Sequence, residues 1–433
     1  MSFSETEASP AAAAASSPVA STELTPASAR FVGKERRFFG LLVRGAVGLM
    51  LTLGLYRFWL ATDVRRFLWG NTVIGQDGLE YVGTPRELFV GFLTAIALLI
   101  PVYLGLFVAA LGLGMVGQFA GLFAFLLLAF LGQFAVYRAR RYRLTRTVYR
   151  GIRWHQTGSA WKFAVYSSFW WGLIVLSLGL AYPWAQASLE RYKLANTHYG
   201  DVSARFVGSG GRLFLRGLLM WLVVMAPLAF SIAIAATALD WIALATAAVA
   251  DGNPLARIET VDPDFAAAIV FAVAGIVWSM VAAAVLYPLF RTMVLRWWVS
   301  GIRLGGLTAV SHLRAGQIYT AYARFLWYVF LFGIAAAIVA AVVLAAGDAI
   351  AGDEGSTGAQ EIIAAILFVA AYVIAALGYS TIYQATITIR IWRLSFETTT
   401  LNGLASLENV TARGVASSAL GEGLADALDV GGL

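Results

Sequence analysis

The stretch "RFWLATDVRRFLWGNT", residues 57–72, breaks an apolar run with arginines, tryptophans and a polar end. The longer segment around it occurs twice. Residues 51–89, "LTLGLYRFWLATDVRRFLWGNTVIGQDGLEYVGTPRELF", align without a gap with residues 176–214, "LSLGLAYPWAQASLERYKLANTHYGDVSARFVGSGGRLF", and 13 of the 39 positions are identical. Shared hydrophobicity does not give that many identities, so we interpret the two segments as copies of an internal repeat.

Three weaker copies extend the pattern. The five units cover about 51–89, 134–163, 176–214, 286–319 and 384–413. In each unit an arginine precedes a turn dipeptide by nine residues, and these arginines are Arg66, Arg141, Arg191, Arg296 and Arg393. The two best-preserved units also share a structural motif, which consists of Trp59, Asn71, Thr72 and Gly75 in the first and Trp184, Asn196, Thr197 and Gly200 in the second.

The residue types in one unit predict its local structure. Tryptophans and arginines are typical of a helix that leaves the bilayer through the headgroup region. Asn and Thr then end the helix, because their side chains compete for backbone hydrogen bonds. β-Formers on both sides of a glycine-containing dipeptide favour a tight hairpin. Each unit therefore predicts a helix, a short β-hairpin and the next helix. Isolated hairpins are marginal, so we expect the hairpins to gather into a small sheet on one membrane face.

The composition indicates a polytopic membrane protein. Of 433 residues, 60% are hydrophobic and 13% are charged, whereas soluble domains carry about 25% charged residues. The chain has no cysteine, which excludes disulfides, cysteine-ligated zinc and thiol nucleophiles. The net charge of +7 comes from clustered arginines, which favour an anionic lipid surface over nucleic acid.

Eight apolar runs are long enough for helices, at about 38–60, 88–113, 117–136, 163–184, 213–239, 265–290, 325–346 and 362–385. Basic residues collect on the cytoplasmic side of membranes. Placing all five basic units inside, and the acidic loops 237–264 and 347–361 outside, requires that 163–184 does not fully cross. We therefore favour re-entrant segments at 38–60 and 163–184, six full spans and both termini inside. Eight plain spans that violate the charge rule remain the alternative.

The predicted fold class is an all-α polytopic membrane protein, a helical bundle built from internal repeats, with short β-hairpins between helices on the cytoplasmic face. Residues 1–29 are rich in Ala, Ser, Pro and Thr and predict a disordered tail. Residues 30–403 form the membrane domain. Residues 404–433 form an acidic amphipathic tail, with Leu420, Leu424 and Leu428 on one helix face. We expect this tail to dock on the basic hairpins of its own chain, with a partner-binding tail as the less favoured alternative.

Several motifs resemble the YjgN family of bacterial inner-membrane proteins, whose function is unknown. They are "LTLGLYRFWLATDVRRFLWGNT" with "EYVGTPRELFVGFL", the block "YRARRYRLTRTVYRGIRW", and the ending "ALGEGLADALDVGGL". The resemblance covers about residues 38–433. It implies a multi-pass protein of the bacterial inner membrane and brings no catalytic residue or cofactor.

The sequence contains no catalytic, cofactor or metal motif, so we expect a protein that is not an enzyme. His155, His198 and His312 lie in separate units without a second ligand at helical spacing. The repeated arginines are either anchors that reach lipid phosphates or, if they ring a cavity, contacts for an anionic solute or lipid headgroup. The first hypothesis is transport or permeation of a small, possibly anionic, solute. The alternatives are a membrane scaffold or anionic-lipid-interacting protein and, least favoured, an intramembrane enzyme. Membrane lipids, anionic ones above all, are the expected partners.

Overall fold

The structure is a computed structural model that describes residues 27–112, 119–238, 265–351, 358–414 and 416–430, with the isolated positions 242 and 246. Of the two loops predicted to be acidic and external, 237–264 lies largely outside the described residues, and so do residues 352–357 of the loop 347–361, whose remaining residues are helical. The same holds for residues 1–26 of the predicted disordered tail.

Ten antiparallel strands form a closed barrel. Around the barrel each strand pairs with its neighbour in the chain, and β1 pairs with both β2 and β10. The all-α prediction is therefore wrong: the hairpins do not form a small open sheet but pair with one another into a barrel, which removes every exposed strand edge. The strands are β1 (Ala27–Phe31), β2 (Thr72–Ile74), β3 (Asp77–Tyr81), β4 (Thr147–Tyr149), β5 (Ile152–Gln156), β6 (Thr197–Tyr199), β7 (Val202–Phe206), β8 (Ile302–Leu304), β9 (Leu307–Ser311) and β10 (Thr399–Asn402).

Four of the five predicted turns connect the two strands of a hairpin, whereas the fifth is not followed by a strand. After β10 the chain leaves the barrel, and the missing strand comes from the N-terminal end as β1. Ala27 pairs with Leu401 and Ser28 with Thr400. Strand β1 begins inside the segment 1–29, so residues 27–29 belong to the barrel wall.

Twelve α-helices connect or follow the strands in the described residues. They are α1 (Glu35–Leu51), α2 (Arg57–Gly70), α3 (Pro85–Gly112), α4 (Ala120–Thr145), α5 (Ala160–Leu176), α6 (Tyr182–Ala195), α7 (Gly210–Ala238), α8 (Phe265–Gly301), α9 (Ala315–Ala351), α10 (Gly358–Tyr383), α11 (Ile389–Glu397) and α12 (Leu420–Ala427). A π-helical turn (Gln384–Thr388) joins α10 to α11, and a 3-10 helix (Leu404–Leu407) follows β10.

Six helices of the described residues are long and apolar enough to cross a membrane, which agrees in number with the predicted spans. At most 17% of the most apolar window of any of them is buried by the chain itself. Their side chains therefore face an apolar environment other than this protein, as acyl chains provide. The stretches are Pro85–Ala109, Ala120–Thr145, Gly210–Ile234, Ala267–Gly301, Ala315–Val342 and Ala365–Glu397.

In each of the helix pairs α1–α2 and α5–α6, the chain reverses direction between the two helices and returns to the barrel. Gly54 and Gly179 have φ of +92° and +91°, a conformation that favours glycine, and they reverse the chain between the two helices of each pair. Strands β1 and β2 pair through Phe31 and Thr72, so the run 38–60 starts and finishes at the same barrel end. The run 163–184 does the same between Gln156 and Thr197. This geometry agrees with the re-entrant interpretation.

The barrel lumen is filled with side chains. Residues that alternate along each strand point inward, and Leu79, Tyr149, Tyr199, Phe206 and Leu304 form one core with Leu407 of the 3-10 helix. The Tyr199 hydroxyl donates to the Tyr149 carbonyl at 2.9 Å, and the Tyr149 hydroxyl donates to the Ile74 carbonyl at 3.1 Å. The barrel is thus a packed core and the 3-10 helix covers its turn end.

We predict that the two chain ends can be cross-linked through the barrel seam. Paired residues on antiparallel strands have Cα atoms about 4.5–5.5 Å apart, which suits a disulfide. Because the chain has no native cysteine, Ser28→Cys with Thr400→Cys should form an intramolecular disulfide, seen as a mobility change on non-reducing gels. The control, Ser28→Cys with Ser203→Cys on β7, should not. Equal cross-linking of both pairs would contradict the closed barrel.

Candidate functional site

The repeated arginines tie helices to the loops that follow the outgoing strands. The guanidinium of Arg66 donates to the Gly83 carbonyl at 2.9 Å, and that of Arg191 donates to the Gly208 carbonyl at 3.4 Å. Arg141 donates to the Gly158 carbonyl. Arg393 donates to the Gly33 carbonyl at 2.8 Å, across the seam between the chain ends.

These arginines do not converge on one point. Each lies on a different helix, the one that precedes β2, β4, β6, β8 or β10, and Arg296 is exposed. Among the described residues, Arg296 makes no hydrogen bond or ion pair. The geometry gives four of the five a structural contact, and their contact with an anion or a lipid headgroup stays a prediction.

The shared motif of the first and third units stops the helices and starts the hairpins. The amides of Asn71 and Asn196 donate to carbonyls four residues back at 2.7 and 2.8 Å. The hydroxyls of Thr72 and Thr197 do the same at 2.7 Å. These side chains thus supply donors to carbonyls of the last helical turn, where backbone donors become scarce.

The remaining motif residues complete this unit. Gly75 and Gly200 have φ of +64° and +56° in the hairpin turns. Trp59 and Trp184, both partly exposed, pack against Phe89 and Phe214 with ring centroids 6.3 and 4.7 Å apart.

The sequence did not predict a role for a second set of arginines, which point toward the interior of the protein from α2 and α4. Arg65 is 5% exposed and forms an ion pair with Glu422, itself 7% exposed. Arg143 approaches the other oxygen of Glu422 at 3.7 Å. The Tyr81 hydroxyl lies 3.2 Å from the Arg65 guanidinium. Removing one member of such a buried pair costs about 3–5 kcal/mol, because the remaining charge stays buried.

One turn further along α12, a second carboxylate meets a second arginine. Asp426 lies 2.5 Å from the guanidinium of Arg57. That guanidinium also lies 4.2 Å from the ring centroid of Phe92 and 4.9 Å from that of Phe58. Burial raises the pKa of Asp426, and Arg57 opposes this shift in pKa. The contact thus holds the carboxylate in a desolvated place that costs it free energy.

These side chains border a cavity of about 280 Å³, which we call the arginine cavity. Its polar and charged lining consists of Arg57, Arg65, Glu422 and Asp426, with Ser380 of α10 and Gln384 of the π-helical turn. The remaining lining residues are apolar or small, and they are Leu49, Phe58, Leu60, Ala61, Val64, Leu88 and Gly423.

A second cavity of about 240 Å³, the apolar groove, adjoins the first. The two share Arg57 and Asp426. The groove runs along α3 on Phe92, Ile96, Leu99, Ile100 and Tyr103. A charged end and an apolar continuation thus meet at one arginine.

Helix α12 is held between α3 and α4. Its Leu424 and Ala425 pack with Ala95, Ala135 and Ala139. The tail therefore docks on its own chain, as expected. Its first part contacts the barrel and a hairpin turn, through Leu407 and through the Thr411 amide that donates to Asp201, whereas α12 lies in a groove between helices. The sequence contains two patterns that could have predicted these ion pairs. Glu422 and Asp426 are four residues apart on one helix face, and Arg57 and Arg65 are eight residues apart on one face of another helix.

The three histidines do not meet. His155 and His198 stack with ring centroids 5.0 Å apart on paired strands, while His312 lies 3.4 Å from the Thr400 hydroxyl. The described residues hold no group of three metal-ligating side chains. Burial, and to a smaller degree His198, lowers the pKa of His155.

The chain belongs to the family of bacterial proteins of unknown function DUF898, whose model matches residues 26–427. This family corresponds to the YjgN type that the sequence motifs resemble. With six apolar helices long enough to cross a bilayer, the chain is a bacterial membrane protein. No curated protein and no solved structure matches it significantly. The match ends at the last residue of α12, so the docked tail is part of the family unit.

We predict that Arg66→Ala lowers the thermal midpoint more than Arg296→Ala does. A hydrogen bond to a charged group contributes about 1.5–3 kcal/mol, and Arg66 makes one to Gly83 whereas Arg296 makes none in the described structure. Thermal unfolding in detergent, followed by tryptophan fluorescence, measures both variants. Equal losses would contradict the assigned role of Arg66.

We also predict that the protein loses stability as the pH falls from about 7.5 to about 5.5. A folded-state pKa below the ordinary imidazole value gives stability that is complete above that value and is lost as the pH falls below it. The decline in thermal midpoint should be smaller in His155→Gln. The same decline in both proteins would exclude His155 as the cause.

Proposed function

We propose that this protein binds an anionic lipid of the bacterial inner membrane, with the headgroup in the arginine cavity and an acyl chain in the apolar groove. The observation that carries the proposal is the sharing of Arg57 by the two cavities. A lipid has the same division, because its charge lies at one end of a long apolar chain.

The charge at the junction suits an acidic headgroup. The Arg57 side chain is 40% exposed, so it has room for a further oxygen ligand. Guanidinium groups bind phosphate oxygens through strong, charge-assisted hydrogen bonds. The surrounding phenyl rings and leucines reduce competition from water, which strengthens such a bond.

The apolar surroundings favour an amphiphile over a free anion. The groove is lined by residues of α3 from Phe92 to Tyr103, within a helix of spanning length. Since the chain buries little of its spans, lipid chains lie along them. The clustering of basic residues in the hairpin units supports placing the barrel on the cytoplasmic side.

The transport hypothesis stays a prediction. Along the barrel axis, the described lumen is filled by Tyr149, Tyr199 and their neighbours. This filling supports lipid binding over permeation of a solute through the barrel. We likewise propose a binding protein that is not an enzyme.

The test compares lipid binding by native mass spectrometry or in nanodiscs. We expect the protein to bind phosphatidylglycerol more tightly than phosphatidylcholine. Arg57→Ala should weaken phosphatidylglycerol binding about tenfold, which corresponds to about 1.4 kcal/mol. The control is Arg44→Ala on α1, an exposed arginine that pairs with Asp63 at 3.7 Å and does not line the cavity.

Two results would contradict the proposal. One is equal binding of the two lipids by the unchanged protein. The other is competition by inorganic phosphate at millimolar concentration with no dependence on the acyl chain, which would indicate a site for a free anion.

A further inference from the structure

We infer that helix α12 is an internal ligand of the headgroup site and that anionic lipid displaces it. This inference rests on the proposed function and adds its regulation. It identifies the acidic C-terminal segment as a competitor for the arginines that would receive the headgroup.

The acidic side chains of α12 occupy the arginines that the headgroup would use. Glu422 and Asp426 lie four residues apart, on the same face of α12. They form ion pairs with Arg65 and Arg57, which line the arginine cavity with them. Two carboxylates on a helix thus present to the arginines the same kind of oxygen atoms that a lipid phosphate and its neighbouring groups present.

The fit of α12 depends on two glycines. A methyl group on Gly423 would overlap the backbone of Gly91 in α3, and one on Gly421 would overlap Arg138 in α4. The helix therefore fits between α3 and α4 only because residues 421 and 423 carry no side chain. A single added methyl group is enough to weaken its docking without a change of charge.

The helix can leave while the barrel stays closed. It has eight residues, too few for a stable helix alone in water, so its structure depends on docking. The segment before it is attached at separate points: Leu407 in the barrel core, and the Thr411 amide, which donates to the Asp201 carboxylate at 3.1 Å. These contacts hold the segment on the barrel when α12 detaches.

Displacement has a measurable consequence for affinity. A site that is free for only a fraction of the time binds its ligand more weakly by that fraction. Weakening the docking of α12 should therefore strengthen lipid binding, whereas a merely structural helix would leave binding unchanged or lower.

The experiment uses the full chain with a single cysteine, Ala425→Cys, at a position that is 1% exposed when α12 is docked. A water-soluble maleimide reports release of the helix. Gly423→Ala is the test variant, and Gly105→Ala on α3 is its control, because a methyl group there meets no atom within 4 Å.

We expect Gly423→Ala to raise the labelling rate and to raise phosphatidylglycerol affinity severalfold, with no change in Gly105→Ala. Phosphatidylglycerol should also raise labelling when position 423 is glycine, whereas phosphatidylcholine should not. If labelling rises in Gly423→Ala while its affinity stays unchanged or falls, α12 is not a competitor.

A second variant covers the case in which Gly423→Ala does not release the helix. Glu422→Gln with Asp426→Asn removes both competing charges, and unchanged phosphatidylglycerol affinity in this variant would overturn the inference. Failure of the proposed function is distinct, because the protein with its native α12 and both glycine variants would then all bind the two lipids equally.

Discussion

The closure of the barrel is the constraint on which the rest of the structure depends. Ten short strands, of three to five residues each, are too short to be stable as separate hairpins. They become stable when each pairs on both sides, which requires that strand β1 from one chain end fills the place beside β10 from the other. The seam therefore couples two distant parts of a chain of 433 residues, and β1 supplies the partner strand that the fifth unit lacks.

Closure also fixes where the helices stand. Each strand is joined to a helix at the same end of the barrel, either before or after it in the chain. Ten helical segments therefore extend from that end. Three pairs are long enough to cross a bilayer, and the pairs α1–α2 and α5–α6 turn back. On α2, α4, α6 and α11, the repeated arginine donates a hydrogen bond to a carbonyl in a neighbouring loop, as Arg66 does to Gly83. The adjacent residue faces inward, which brings Arg65 to the centre and to Glu422.

The local structure was predictable from the sequence, and the closure was not. Gly75 and Gly200 lie in turns, and Asn71 and Thr72 end a helix, because these roles follow from residue type. Pairing between hairpins is carried by backbone groups, which every residue shares, so residue types do not reveal it. One signal was present, since "SARFVG" occurs at both 28–33 and 203–208 and marks β1 as a copy of β7. A role for Arg65 was not predicted, because the repeat singles out its neighbour Arg66. The two arginines differ in which face of α2 they occupy, and residue type does not reveal that.

The closed barrel, the arginines paired with Glu422 and Asp426, and the acidic tail thus meet at the proposed lipid site. Photo-cross-linking tests it most directly, with a phosphatidylglycerol analogue that carries a diazirine on its acyl chain. Peptide mapping should place the main cross-links on α3 between Phe92 and Tyr103, with a loss of these cross-links in Arg57→Ala. Cross-links spread evenly over the six spans, and unchanged in that variant, would contradict the account.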